Sequence, residues 1–387
     1  MMRNILGGLL CAGVWLTAVS AADAADWPTW RHDAQRSSAT PDGLPAELKL
    51  QWTLERPPST PAWPEDPRLQ FDAGYEPIVV GSTMYLASSR NDSLTAIDTR
   101  TGDEKWRFYA GGPVRFAPVV ADGRLYFGAD DGVFYCLDAQ SGELVWQHDT
   151  APANRKVIGN GRLTSVWPLR GGPVLNDGKI HFTTGVWPFE GVMLHTIDLG
   201  DVDAEGKPRF TSTTLEEVAP QGYAAISGDR LFLPCGRAKV TCRSLESGAP
   251  IPINSDSRGK TDYHAVAYGD WMFHGDKIYH VEDKLLASID ARRPVVADET
   301  VYSVQGGNVV AWDLANPEYT ETKDRRGKPV KQLSLTKKWE LPYAEITGPA
   351  QGDAEKWLAA HPLTIHIKAG NRLYGHQAGQ VFAVDLP

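Results

Sequence analysis

The chain has 387 residues, too many for one small domain and enough for a large core. Its 37 glycines, 27 prolines and 13 tryptophans favour a turn-rich, all-β protein with a recurring aromatic. A formal charge of −9 argues against nucleic acid and anionic membrane surfaces as partners.

Residues 1–24 read as a secretory signal. Arg3 supplies the positive end, an apolar run extends from Ile5 to Val19, and Ala22-Asp23-Ala24 offers a cleavage site. No later segment is long enough to span a bilayer, so the expected location is periplasmic or secreted, without a transmembrane segment after cleavage. Residues 25–46 read as an irregular arm lying over a domain that fills 47–387. Leu48 to Thr53 alternates and carries Trp52, like the outer strand of a repeat that has no earlier strands. Residues 56–70 carry several prolines and read as a loop.

The repeat itself begins near Glu76. Ala96-Ile97-Asp98-Thr99-Arg100-Thr101-Gly102 leads to Trp106, and Cys136-Leu137-Asp138-Ala139-Gln140-Ser141-Gly142 leads to Trp146. Asp98 and Asp138, Gly102 and Gly142, and Trp106 and Trp146 are each 40 positions apart. A period near 40, built of short alternating strands and tight turns, predicts a β-propeller with one four-stranded blade per repeat. Asp122-Gly123 reads as a hairpin turn, and the Trp as a flat surface for the next blade.

Further along, a long insertion covers 147–170, and blade three restarts at Gly172-Pro173. An acidic loop through Gly206 replaces its Gly/Trp turn. Blade four includes Ile226 to Leu233. Blade five, the least regular, is placed at Ala265–Tyr268, Trp271–His274, Lys277–Val281 and a strand ending at Ile289, with a turn at Asp283-Lys284. Blade six runs from Pro294 through Asp313, then a charged loop, to Trp339. Residues 352–360 look helical. The last repeat, Leu363 to Asp385, lacks its Trp strand, and Leu48–Thr53 is the expected replacement. The expected fold is therefore an all-β, seven-bladed propeller, within a range of six to eight blades, closed by an N-terminal strand.

The segment from Ala96 to Trp106, echoed at 136–146, resembles the tryptophan-docking motif Ala-x-Asp-x-x-x-Gly-x-x-x-Trp of quinoprotein-like propellers. The second copy has Cys136 in place of the Ala. Asp26-Trp27-Pro28, Trp167-Pro168 with Arg170-Gly171-Gly172-Pro173, and Trp187-Pro188-Phe189-Glu190-Gly191 also look like exported PQQ-binding-like repeat proteins of planctomycete type. That resemblance implies the fold. Its enzymatic members imply pyrroloquinoline quinone (PQQ) against an adjacent Cys-Cys pair, with calcium held by Glu, Asn and Asp.

No Cys-Cys pair is present. Cys235 and Cys242 flank a turn and could bridge, but three buried free thiols, with Cys136, are the preferred reading. Gly-x-Ser-x-Gly, the Walker loop and His-Glu-x-x-His are absent. In an up-and-down blade the long loops gather on one face, and there Trp167, Arg170, Trp187, Glu190, Arg237, Asp262 and His264 are the candidate ligand-binding residues. Phe189 and Tyr263 accompany them. The competing reading is that Trp167 and Trp187 plug the ring entrance while Arg170 pairs with Glu190. His274, Asp276 and His280 do not have the geometry of a metal set, and Asp130-Asp131-Gly132 reads as a turn. The expectation is a monomeric, exported, non-catalytic propeller that binds a protein, a small molecule or a carbohydrate, with no cofactor or metal. The alternative is a PQQ-dependent dehydrogenase with calcium.

Overall fold

The structure is a computed structural model that describes residues 26–387 apart from 46, 67–69, 160, 217, 237, 254–261, 282–284, 290–292, 324–326, 350 and 351. The expected signal, Arg237 and the turn at Asp283-Lys284 lie outside the described residues. Strands dominate, and among the described residues they form seven four-stranded sheets in chain order. Blade one comprises Ile78–Val80, Thr83–Ser88, Ser93–Asp98 and Glu104–Tyr109. Blade two repeats it at Val119–Ala121, Arg124–Gly128, Val133–Asp138 and Leu144–Asp149. Blade five follows the expected placement closely, at Val266–Tyr268, Trp271–His274, Lys277–His280 and Leu285–Ser288.

The turns explain the repeat. Asp122 and Gly123 have φ of 47° and 71°, the two positive values of a hairpin turn whose twist matches its strands. At the second turn, Asp138 Oδ1 accepts the backbone N–H groups of Gln140 and Ser141, and the Gly142 N–H returns to the Asp138 carbonyl. Gly142 lies at φ 76°, and a Cβ there would stand 2.5 Å from Trp106 Cδ2. The motif glycine thus provides the seat for the preceding blade's indole, whose Nε1 donates to the Ala139 carbonyl at 3.3 Å. In blade three this turn is lost. Its strands lengthen to Val192–Val202 and Pro208–Leu215, and Phe210 meets Trp146 edge-on instead.

Two expectations are corrected. The charged segment after Asp313 is an added hairpin, Glu318–Lys323 paired with Pro329–Ser334, before the outer strand Lys337–Leu341 of blade six. Ring closure differs as well. Leu48–Thr53 forms no strand; Ala39–Thr40 instead pairs in parallel with Thr364–Ala369, the inner strand of the last blade. Trp52 nevertheless takes the docking position. Its Nε1 donates to the Thr99 carbonyl at 2.8 Å, and its ring covers Gly102 as Trp106 covers Gly142. The segment therefore docks on blade one by side-chain packing, without a β-ladder.

The arm does not lie over the ring but runs inside it. Trp27 exchanges backbone hydrogen bonds with Val79, and the carbonyls of Pro28, Ala34, Gln35, Ser37 and Ser38 accept from Val120, Ile226, Ala267, Val296 and Lys368. These partners lie on the inner strands of blades one, two, four, five, six and seven. Blade three is reached by Arg36, which donates to the Pro173 carbonyl and also to Ala224, Trp30 and Thr29. Arg36 is wholly buried, and burial pushes its guanidinium down to about 10. The inner strands are too short to fill the centre of a seven-sheet ring, so the arm satisfies their unpaired backbone groups.

Candidate ligand site at the mouth of the ring

Above the arm, aromatic side chains fill the axis. Trp30 stacks on Tyr223 with centroids 4.0 Å apart, and Tyr223 meets Phe116 edge-on at 5.1 Å. Phe116 stacks on Phe71 at 5.3 Å, and Phe71 leans on Tyr263 at 5.5 Å. All five are buried. Phe71 comes from the proline-rich loop, which is fastened by a buried chain of charges. Arg115 bridges Asp72 at 2.5 Å and Asp130 at 2.7 Å, and Asp130 also holds Arg170 at 2.8 Å. Arg115 further donates to the Thr60 carbonyl, and Asp72 accepts the Ala62 N–H.

This network decides several candidates. Arg170 is buried beneath Phe71 and committed to Asp130, not to Glu190. Burial lowers its pKa although Asp130 opposes the shift. Glu190 pairs with Arg155 at 2.6 Å, while its carbonyl accepts the indole N–H of buried Trp167. Trp187 is half exposed, edge-on to Trp63 and stacked near Phe189. Phe71, Phe116 and Tyr263 pack together, while Trp167 and Trp187 make their contacts with Glu190, Trp63 and Phe189.

Beside the axis, on the long-loop face, lies a cavity of about 990 Å³. Trp27, Trp30 and Arg31 of the arm form one wall; Glu76, Arg293 and the segment from Pro362 to Ile367 form others. Asp262 and Tyr263 contribute from the connection into blade five. Of the sequence candidates in the described residues, Asp262 lines this cavity, with His264 directly behind it.

The charges around the cavity answer one another. Glu76 accepts Trp30 Nε1 at 2.9 Å and faces Arg293 at 3.7 Å. Arg31 donates to the carbonyls of Arg36 and Pro294. Burial, and then the like charge of Arg293, push Arg31 down to about 9. Asp262 accepts from His264 Nδ1 at 2.7 Å. Burial alone would raise this carboxyl, but His264, Arg293 and His274 hold it well below the usual carboxylate range. His264 is itself pushed down by burial and by Arg293, with Asp262 opposing the shift. His366, at a register shift between Ile365 and Ile367, contacts His376 across strands at 2.7 Å.

Sequence reasoning missed Trp30, Arg31, Glu76, Arg293 and His366. A signal for two of them exists. The residue before the proline that opens an inner strand is Glu76 in blade one and Arg293 in blade six, but Ala117 and Gly172 in blades two and three. A charge at an otherwise small repeat position marks the mouth of the ring.

PQQ and calcium do not fit the residues present. Cys136, Cys235 and Cys242 are free, buried and not adjacent, and burial pushes each thiol up to about 12. The axis is occupied by the chain's own aromatics. Among the described residues no group of three or more His, Cys, Asp or Glu side chains is placed to hold a metal ion.

Residues 16–180 match the family described as "Outer membrane protein assembly factor BamB". The 1-butanol dehydrogenase (cytochrome c) of Thauera butanivorans is 26% identical over 84% of this chain and 45% of its own length. A quinone-linked alcohol dehydrogenase subunit of Gluconobacter oxydans is 30% identical over 54% of this chain and 28% of its own. The chain thus spans under half the length of these relatives. Among solved structures, a europium-containing methanol dehydrogenase superposes with TM-score 0.53 at 11% identity, over 93% of this chain and 83% of that one. The quinohemoprotein alcohol dehydrogenase of Comamonas testosteroni gives 0.52 at 14%, over 92% and 71%. These likenesses establish the fold. No helix among the described residues is long and apolar enough to cross a membrane.

Proposed function

Starting from the fact that the chain is a PQQ-like β-propeller repeat protein, we propose that it is a non-catalytic binding propeller of the cell envelope, with its ligand or partner on the long-loop face. One observation carries this reading: the axis is filled by Trp30, Tyr223, Phe116 and Phe71, while a large cavity stays open beside it. Loops around an open cavity suit recognition. The BamB-described family match supports a role of this kind. Pull-down from an envelope extract is the test. Retention of a partner above control is expected, and its absence counts against the reading.

The second reading is a PQQ-dependent alcohol dehydrogenase. The curated relatives favour it over an assembly role, since the similarity to the butanol enzyme runs through most of the chain. The residues of this chain favour the first reading, because the cysteine pair is missing and the axis is filled. Incubation with PQQ and calcium, followed by dye reduction with alcohols or sugars, separates the two. Sustained turnover selects the dehydrogenase.

A further inference from the structure

We infer that the cavity at the ring mouth takes a neutral, polyhydroxylated ligand of oligosaccharide type; this rests on the reading of that face as a binding surface. The inference comes from charge accounting. Two guanidinium groups and two carboxylates line the cavity, and each already has a partner from the protein. Arg31 is bonded to two carbonyls, Glu76 takes Trp30 and faces Arg293, and Asp262 takes His264. An anionic ligand would have to draw Arg293 from Glu76 and leave that carboxylate with the Trp30 indole alone, and a cation would have to compete with Arg293 for Glu76 and displace the His264 hydrogen bond at Asp262. Stripping a partner from a half-buried charge is costly. A neutral ligand rich in hydroxyls adds hydrogen bonds to these groups without breaking them.

The walls agree with that chemistry. Trp27 offers a flat apolar ring on the cavity, its backbone held by a pair of hydrogen bonds to Val79 and its ring packed 4.8 Å from His32. Gln70 and Thr364 add two polar residues to the same lining. At about 990 Å³ the space lies at the top of the usual range of ligand pockets, which suits several linked rings better than one small metabolite.

The test is isothermal titration of the full chain with maltotetraose and chitotetraose, against tetragalacturonate and citrate as charged controls. Saturable binding of a neutral tetrasaccharide is expected, weakened about tenfold or more by Trp27→Ala because the stacking surface is lost. Far-UV circular dichroism monitors folding of that variant, and Gln70→Ala gives the same readout should Trp27→Ala fail to fold. Tighter binding of tetragalacturonate or citrate overturns the ligand class but leaves the cavity a binding site. No binding of any of the four overturns the inference. The wider reading then falls only if the envelope pull-down also retains nothing.

Discussion

Trp52 lies on Gly102 as Trp106 lies on Gly142, although only Trp106 belongs to a strand. A Cβ at Gly102 would stand 2.8 Å from Trp52 Cδ2, and Gly102 has φ of 79°. The indole therefore fastens the 47–53 segment to blade one. Trp52→Ala is expected to destabilise the ring by roughly 2–3 kcal/mol, read as a lower urea midpoint. Gly102→Ala combines an unfavourable φ with the steric clash and should cost about 1 kcal/mol or more. A Trp52→Ala midpoint equal to wild type would show that the parallel pairing at Ala39–Thr40 closes the ring alone.

Arg36 donates to five oxygen atoms from the arm and from the entries to blades three and four. Arg36→Met keeps the bulk and removes the donors, leaving buried carbonyls unmatched at about 1–3 kcal/mol each. Cooperative unfolding should shift to lower temperature by several degrees in calorimetry. An unchanged melting curve would mean that water replaces the guanidinium.

Asp130 stands between Arg115 and Arg170, with all three side chains buried. Asp130→Asn leaves two guanidinium groups short of charge, at an expected cost of about 3–5 kcal/mol. Because Arg115 also holds Asp72 and Thr60, the proline-rich loop should loosen first. Limited proteolysis checks this: cleavage between residues 57 and 75 should precede global digestion. Simultaneous loss of all bands would mean that the loop is not a separate unit.

The local parts of the fold were legible in the sequence because strand alternation and turn chemistry are local. Asp138, Gly142 and Trp146 lie close enough in sequence to reveal one blade, and the 40-residue echo reveals the next. The arm was misread because its partners are backbone groups on blades far along the chain, which no side-chain pattern records. Four arm residues, Arg31, His32, Arg36 and Ser38, have positive φ, a conformation that local propensity argues against and that the ring imposes. The site was read least well. Exposed-looking residues such as Trp167 and Arg170 turn inward to Glu190 and Asp130. The cavity draws its charges from single positions in separate blades, and only Asp262 stood out beforehand.

Blade three buries two neutral histidines, which sets a dependence on pH. His195 is held between Thr184 Oγ1 at 2.8 Å and Ser212 Oγ at 2.7 Å, and His181 lies 3.0 Å from Thr196 Oγ1. Burial pushes both imidazoles down to about 4, helped by the positive charge of Lys179 at His181 and of His148 at His195. Unfolded histidine takes up its proton near pH 6.5. Between pH 6.5 and 4 the unfolded chain therefore binds protons that the folded chain refuses, and stability falls as the pH is lowered. The expected loss near pH 4 is on the order of 2–3 kcal/mol per histidine, flattening below that pH as the folded groups titrate. Urea unfolding at stepped pH checks this, and His195→Gln should remove about one proton's worth of the slope, near 1.4 kcal/mol per pH unit. A slope identical to wild type would mean that His195 is already open to protonation in the folded protein.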